Sequence, residues 1–248
     1  MTVLYEPPES LTDTVLRYCP GCGHGIAHRL IAEVIDELGV RDHTVTVASV
    51  GCSVYAFEYF NTDVVQSAHG RAPAVATGVK RVRPDDVVFT YQGDGDLAAI
   101  GLNEVLQAAT RAEKISVFFI NNAVFGMTGG QMAPTTLLGQ KTTTSVDGRT
   151  LEHGGYPFNI CELMNQIPGV AYLARETLID PRSVMSARRS IMKAFRAQID
   201  GLGFSLVELV STCPTWWHMK PLQAMQHVRD TMLIQYPLGV FKDPYAEG

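Results

Sequence analysis

The sequence predicts an α/β domain built on a parallel sheet with helices on both faces. Three observations carry that prediction. β-Branched and aromatic runs at Thr44 to Val50, Val87 to Tyr91, Ile115 to Ile120 and Phe204 to Val210 read as buried strands. Stretches with apolar residues at helical spacing lie between them. Two successive strands end in GDGD and in NN with one helical segment between, the layout of a right-handed crossover.

The elements follow in order. A proline-bearing arm occupies residues 1–18, and the tight CPGCGHG loop from Cys19 to Gly25 runs into a helical pattern. That pattern places Ile26, Leu30, Ile31, Val34, Ile35 and Leu38 on one face, and Gly39 is set to stop it. The first strand ends at Gly51-Cys52-Ser53. AHGRAPAVATGVKRV, from Ala68 to Val82, is a loop entering a short helix. The second strand ends at GDGD, a helix is expected from Leu97 to Ala112, and the third strand ends at Asn121-Asn122. A Gly- and Thr-rich loop from Val124 to about Tyr156 is long enough to suggest a functional role. A strand from Gly169 to Leu173, a helix with Asp180 as N-cap and Pro181 in its first turn, and the strand Phe204 to Val210 complete the domain. This gives an arm (1–18), an α/β domain (19–215) and a tail (216–248) expected to pack on a partner subunit.

Composition narrows the function. A net charge of −5 leaves no basic footprint for nucleic acid or an anionic membrane. The start MTVLYEPPES lacks the basic and apolar regions of a signal peptide, and no apolar run reaches the ~20 residues of a bilayer span. A cytoplasmic protein is expected, so the five cysteines read as metal ligands or thiols before disulfides.

Asp94 and Asn122 lie 28 residues apart, one strand–helix–strand unit. Both therefore emerge at the carboxyl ends of parallel strands, where open α/β sheets bind ligands. A carboxylate, an amide oxygen and a backbone carbonyl suit Mg²⁺, which keeps its other positions for water and phosphate. Gly93 and Gly95 allow close backbone approach, and the amides of Gly95 and Asp96 open the next helix toward a diphosphate. GDGD alone is as readily a strand-ending turn. NN after the next strand and the GMTGGQ loop tip the balance to a diphosphate site.

Cys19 and Cys22 form a CxxC, while Cys52 and Cys213 each follow a strand of the same sheet. Four such thiols can hold either zinc or an iron–sulfur cluster. His24 and His28 stand at helical i and i+4 spacing; His28 is expected to be a partly exposed helix residue, and Cys161 a buried thiol.

GDG, a helix-and-strand spacer and NN resemble the thiamine diphosphate fingerprint. CPGCGHG, VGCS and TCPT resemble the β subunit of 2-oxoacid:ferredoxin oxidoreductases. The resemblance implies Mg²⁺ held by the Asp94 and Asn122 side chains and the Val124 carbonyl, and a 4Fe–4S cluster on Cys19, Cys22, Cys52 and Cys213. It implies thiamine diphosphate contacts at Val50, Gly51, Cys52, Ser53, His69, Gly93, Gly95, Asp96, Gly126, Met127 and Thr128. Met127 and His69 would lie near the thiazolium, and His24 would face the cofactor. The reaction implied is oxidative decarboxylation of a 2-oxoacid with coenzyme A, reversibly passing electrons to ferredoxin. It also implies a larger α subunit supplying the catalytic glutamate, in an αβ unit or its dimer, with or without ferredoxin-like γ and δ subunits. Some relatives carry basic residues where this chain has Val54, Tyr55 and Gly129, which favours a branched-chain or aryl substrate over a dicarboxylate. Two rivals stand beside this reading: a thiamine-dependent decarboxylase or synthase with structural zinc, and a non-catalytic zinc-stapled module.

Overall fold

Burial decides the sheet. Strands β1 (Thr44–Ala48), β3 (Val87–Gly93), β4 (Ser116–Asn121) and β6 (Phe204–Val210) are buried at almost every position, as expected of strands covered on both faces. With β2 (Asp63–Gln66), β5 (Val170–Thr177) and β7 (Gly239–Lys242) they form a seven-stranded sheet in the order β2-β1-β3-β4-β6-β5-β7. All pairings are parallel except β5 with β7. This computed structural model describes residues 6–246; residues 1–5 of the expected arm and 247–248 of the expected tail lie outside it.

Side-chain alternation along the strands feeds two cores. Helices His24–Leu38 and Pro181–Ile199 cover one face, packing Ile31, Ile35 and Phe195 on Phe89, Phe118 and Val207. Helices Ala72–Val82, Leu102–Thr110 and Ile160–Asn165 cover the other, with Ala76, Val105 and Met164 on Val88, Phe119 and Leu206. Local signals act as expected at the helix ends. Gly39 ends its helix at φ 66°, and Asp180 accepts the Ser183 amide at 2.9 Å in a capping box.

Two expectations are revised. The helix expected from Leu97 to Ala112 is split: a π-helical turn, Gly95–Ile100, precedes an α-helix of Leu102–Thr110. His28 is fully buried, stacked on Phe60 at 4.8 Å and edge-on to Tyr91, because the helix's inward stripe turns it into an aromatic cage. Within the chain the tail is anchored by β7, which pairs with β5, and by Tyr236, which donates to the Thr135 carbonyl. The arm likewise lies on its own domain, with the Ser10 amide on Asp36 at 3.1 Å and the Arg17 amide on the Tyr59 hydroxyl at 2.7 Å. Among the described residues no helix is long and apolar enough to cross a membrane.

Because β1, β3, β4 and β6 are adjacent and parallel, the segments after Ala48, Gly93, Asn121 and Val210 emerge along one sheet edge. Every motif singled out above lies there or in a loop that folds over it.

Candidate functional site

One cavity opens at that edge. Its walls include Val50, Gly51, Cys52 and Ser53 beyond β1, and Gly93, Asp94, Gly95 and Asp96 at the end of β3. His69, Asn122, Val124, Gly126, Met127 and Thr128 complete it, together with His24 and Phe125. The structure thus brings together all the residues expected at the cofactor and magnesium positions. Phe125 is the addition: its ring sits where a Cβ on Gly95 would come within 2.1 Å. A lone aromatic in a loop gives no sequence signal for such a role.

Asp94 is buried at the end of β3, and its oxygens are held by neighbouring donors. Oδ1 accepts the Gly95 amide at 2.8 Å; Oδ2 accepts the Val124 amide at 3.1 Å and the Thr135 hydroxyl at 2.8 Å. The Gly95 amide is therefore turned to Asp94, which corrects the expectation that it faces a phosphate. Burial raises the Asp94 carboxyl to about 6, against the opposing pull of those donors. Asn122 Oδ1 is buried with no hydrogen-bond partner. An orphaned buried oxygen lining one cavity with a desolvated carboxylate is a donor set that a hard cation would satisfy, so these residues fit Mg²⁺. Ala123, directly after the two asparagines, takes a positive φ of 57°, and its carbonyl is fixed by Thr136 at 2.7 Å and Gln140 at 3.2 Å. The long loop is thereby tied back to the sheet edge.

Asp96 lines the same cavity, and its side chain is engaged within the protein. Its carboxylate accepts the Ser49 hydroxyl and the Gly70 amide, each at 2.7 Å, the Gln92 amide group at 2.5 Å, and the His69 ring at Nδ1. Its side chain therefore organises the edge.

A second cavity of about 210 Å³ adjoins the first, and Cys19, Cys22, Cys52 and Cys213 all line it. Cys52, Asn122, Gly126 and Met127 belong to both walls. Cys22 and Cys213 are raised to about 12 and Cys52 to about 11, by burial first and then by the neighbouring sulfurs. Thiols so disposed ionise only with cations among them, the condition a metal centre meets. The backbone at His24 and at Trp216 opposes that rise at Cys22 and Cys213. Gly126 supplies the room: a Cβ there would stand 3.2 Å from the Cys52 sulfur and 3.8 Å from that of Cys213. Among the described residues no three His, Cys, Asp or Glu side chains form a group able to hold a metal ion. Four thiols lining one cavity are a ligand set that either zinc or an iron–sulfur cluster could use.

His24 lines the first cavity, stacks on Tyr18 at 4.8 Å and bonds the Tyr91 hydroxyl at 2.8 Å. Tyr18 lines the second cavity and donates to the Cys52 carbonyl at 3.1 Å. Cys161 is buried away from both, beside Glu208 and Arg175 in the core.

Residues 40–209 match the family described as thiamine pyrophosphate enzyme, C-terminal TPP binding domain. The chain is 48% identical over 244 residues to the ketoisovalerate oxidoreductase subunit VorA of Methanothermobacter thermautotrophicus, covering 98% of this chain and 51% of that protein. It thus spans about half the length of that relative. It is 38% identical over 213 residues to the 2-oxoglutarate synthase subunit KorB of Archaeoglobus fulgidus, covering 86% of this chain and 75% of the relative. A solved 2-oxoglutarate:ferredoxin oxidoreductase from Magnetococcus marinus superposes with a TM-score of 0.83 at 24% identity, over 98% of this chain and 87% of its own, which shows a shared fold.

Proposed function

The chain belongs to the thiamine-pyrophosphate-binding subunits of the 2-oxoacid:ferredoxin oxidoreductase family, and from that premise we propose that it is a β subunit joining a thiamine diphosphate site to a 4Fe–4S cluster. The reaction is 2-oxoacid plus coenzyme A giving acyl-CoA, CO₂ and a proton, with two electrons passed to ferredoxin. The observation that carries this is the shared wall: Cys52, Asn122, Gly126 and Met127 border both cavities.

When bound, thiamine diphosphate supplies a nucleophilic carbon that attacks the 2-oxo group and stabilises the charge left by decarboxylation. This chain's residues hold and orient. Asp94, Asn122 and the Val124 carbonyl would grip Mg²⁺ and through it the diphosphate. Phe125 and Met127 shape the cavity wall. Cys19, Cys22, Cys52 and Cys213 would hold the cluster one side chain away, so that electrons leave without crossing the fold. The glutamate that activates the cofactor and much of the substrate pocket belong to a larger α subunit in this reading. A cytoplasmic location suits five free thiols.

For the substrate we favour a branched-chain 2-oxoacid. Tyr55 lines the cysteine cavity where some relatives carry a basic residue, and Gly129 lies in the loop beyond Met127, so neither offers charge to a second carboxylate. The 48% identical relative named for ketoisovalerate agrees. The test is anaerobic purification of the chain with its partner, iron and sulfide analysis, and assay of several 2-oxoacids with coenzyme A and a viologen acceptor. Iron-free protein, or no coenzyme-A-dependent viologen reduction with any 2-oxoacid, would sink the proposal.

A further inference from the structure

Among the described residues the second aspartate of GDGD has no partner of opposite formal charge except a histidine, yet it is almost wholly buried. Its side chain is 1% exposed. Burying a carboxylate is costly unless donors surround it, and four do. Ser49 Oγ and the Gly70 amide reach Oδ1 at 2.7 Å each, His69 Nδ1 joins them, and Gln92 Nε2 reaches Oδ2 at 2.5 Å. These donors come from the end of β1, the 67–71 loop and β3. Backbone packing clamps the same loop: a Cβ on Gly70 would come within 2.6 to 2.8 Å of Ile100 and the Gly101 amide, where the π-helical turn closes by a Gly101 amide bond of 2.8 Å to the Asp96 carbonyl. Such one-turn widenings recur at functional sites.

An ionised carboxylate offers no proton, so every group around it must donate. His69 Nδ1 must therefore carry the hydrogen. His69 is also part of the first cavity's wall, with its side chain 27% exposed, and among the described residues its ring bonds through Nδ1 and not through Nε2. We infer that Asp96 is a positioning residue that locks His69 in one tautomer, Nδ1–H to the carboxylate and Nε2 to the cavity, so that one fixed nitrogen meets the bound cofactor. This rests on the thiamine diphosphate reading above. It gives the two aspartates of GDGD separate tasks: Asp94 faces the metal, and Asp96 sets the histidine.

The first test needs no cofactor. In the isolated full chain, labelled with ¹⁵N-histidine and held at a pH where the imidazole is neutral, the long-range ¹H–¹⁵N spectrum should show His69 with a protonated Nδ1 and a bare Nε2. A dominant Nε2–H form overturns the inference. The second test is a double-mutant cycle on binding of magnesium thiamine diphosphate to the native complex. Asp96→Ala removes the acceptor that holds the Nδ1–H of His69. It should weaken binding about tenfold, the usual scale for a residue that orients a ligand group. His69→Asn retains a donor for Asp96 but has nothing at Nε2, and should also weaken binding. In the His69→Asn background, Asp96→Ala should then add nothing; additive losses would mean that Asp96 does not act through His69. Failure of the native complex to bind the cofactor would count against the functional reading, while the tautomer spectrum would still decide this inference.

Discussion

Thr135 donates from its hydroxyl to Asp94 Oδ2 at 2.8 Å, across 41 residues of sequence. The long loop therefore reaches back to steady the carboxylate expected to meet the metal. Residues that orient a metal ligand typically change metal affinity 10–100-fold when removed. Thr135→Val should weaken magnesium-dependent thiamine diphosphate binding on about that scale, whereas Thr135→Ser, which keeps the donor, should not. A magnesium titration at fixed cofactor separates the two variants.

Asn122 makes a sharper prediction because its Oδ1 is buried and unpartnered. Deleting an unsatisfied polar atom removes a burden rather than a bond. Asn122→Ala should leave the cofactor-free protein within about 1 kcal/mol of wild type. It should nevertheless abolish the stabilisation by magnesium and cofactor, which amounts to about 2.7 kcal/mol at a hundredfold excess over Kd. Thermal unfolding with and without the pair reads both halves. A large loss without cofactor would show that Asn122 serves the fold instead.

Gly126 lines both cavities. Its backbone suits any residue, so Gly126→Ala should fold normally, but the added methyl would meet the Cys52 sulfur at 3.2 Å. Iron per chain and the brown thiolate-to-iron absorption should fall, with unfolding of the metal-free chain unchanged. Full iron loading in that variant would place the cluster elsewhere.

Much of this site was legible in the sequence, and what was missed has a common cause. The chemistry-bearing residues cluster at strand ends, and strand ends follow from local patterns: apolar runs closed by GDGD, NN, GCS and TCP. Side-chain partners that depend on how loops return do not. Thr135 meets Asp94 only because the 133–136 turn is folded over β3 and β4. Asp96 looked like a helix-opening residue because its four donors come from separate segments. β7 was missed because GVFK is short and half exposed, an edge strand with little hydrophobic signal. His28 was misplaced because histidine is ordinarily polar, and only the cage of Tyr59, Phe60 and Tyr91 makes its burial tolerable.

That cage predicts an acid response. Burial, and then the neighbouring His24, holds the His28 imidazole well below its ordinary value near 6.5. A depressed histidine keeps its stabilising effect above the unfolded value and loses it as pH falls, because the unfolded chain takes up the proton first. Stability should therefore decline from about pH 6.5 downward. His28→Gln should show a shallower decline over the same interval, despite starting lower for want of the stacked ring. Urea unfolding at a series of pH values checks this; equal slopes for the two proteins would remove His28 from the account.

Arg149 sets how firmly the long loop can hold Thr135. Buried without an acidic partner at its guanidinium, it donates to the carbonyls of Pro134, Thr136, Gly154 and Tyr156 at 2.6 to 2.8 Å, and to those of Gly155 and Ala133 at 3.1 and 3.3 Å. The two ends of the loop are thus sewn together by one side chain. Arg149→Met keeps most of the bulk and removes every donor, and each carbonyl left dry costs about 1–3 kcal/mol unless water enters. Water can enter only if the loop opens. Amide exchange should therefore quicken across residues 133–156 while the central strands stay protected, and magnesium-dependent cofactor binding should weaken as in Thr135→Val. If the loop kept its protection in Arg149→Met, the carbonyl clasp would be incidental and Thr135 would need another support.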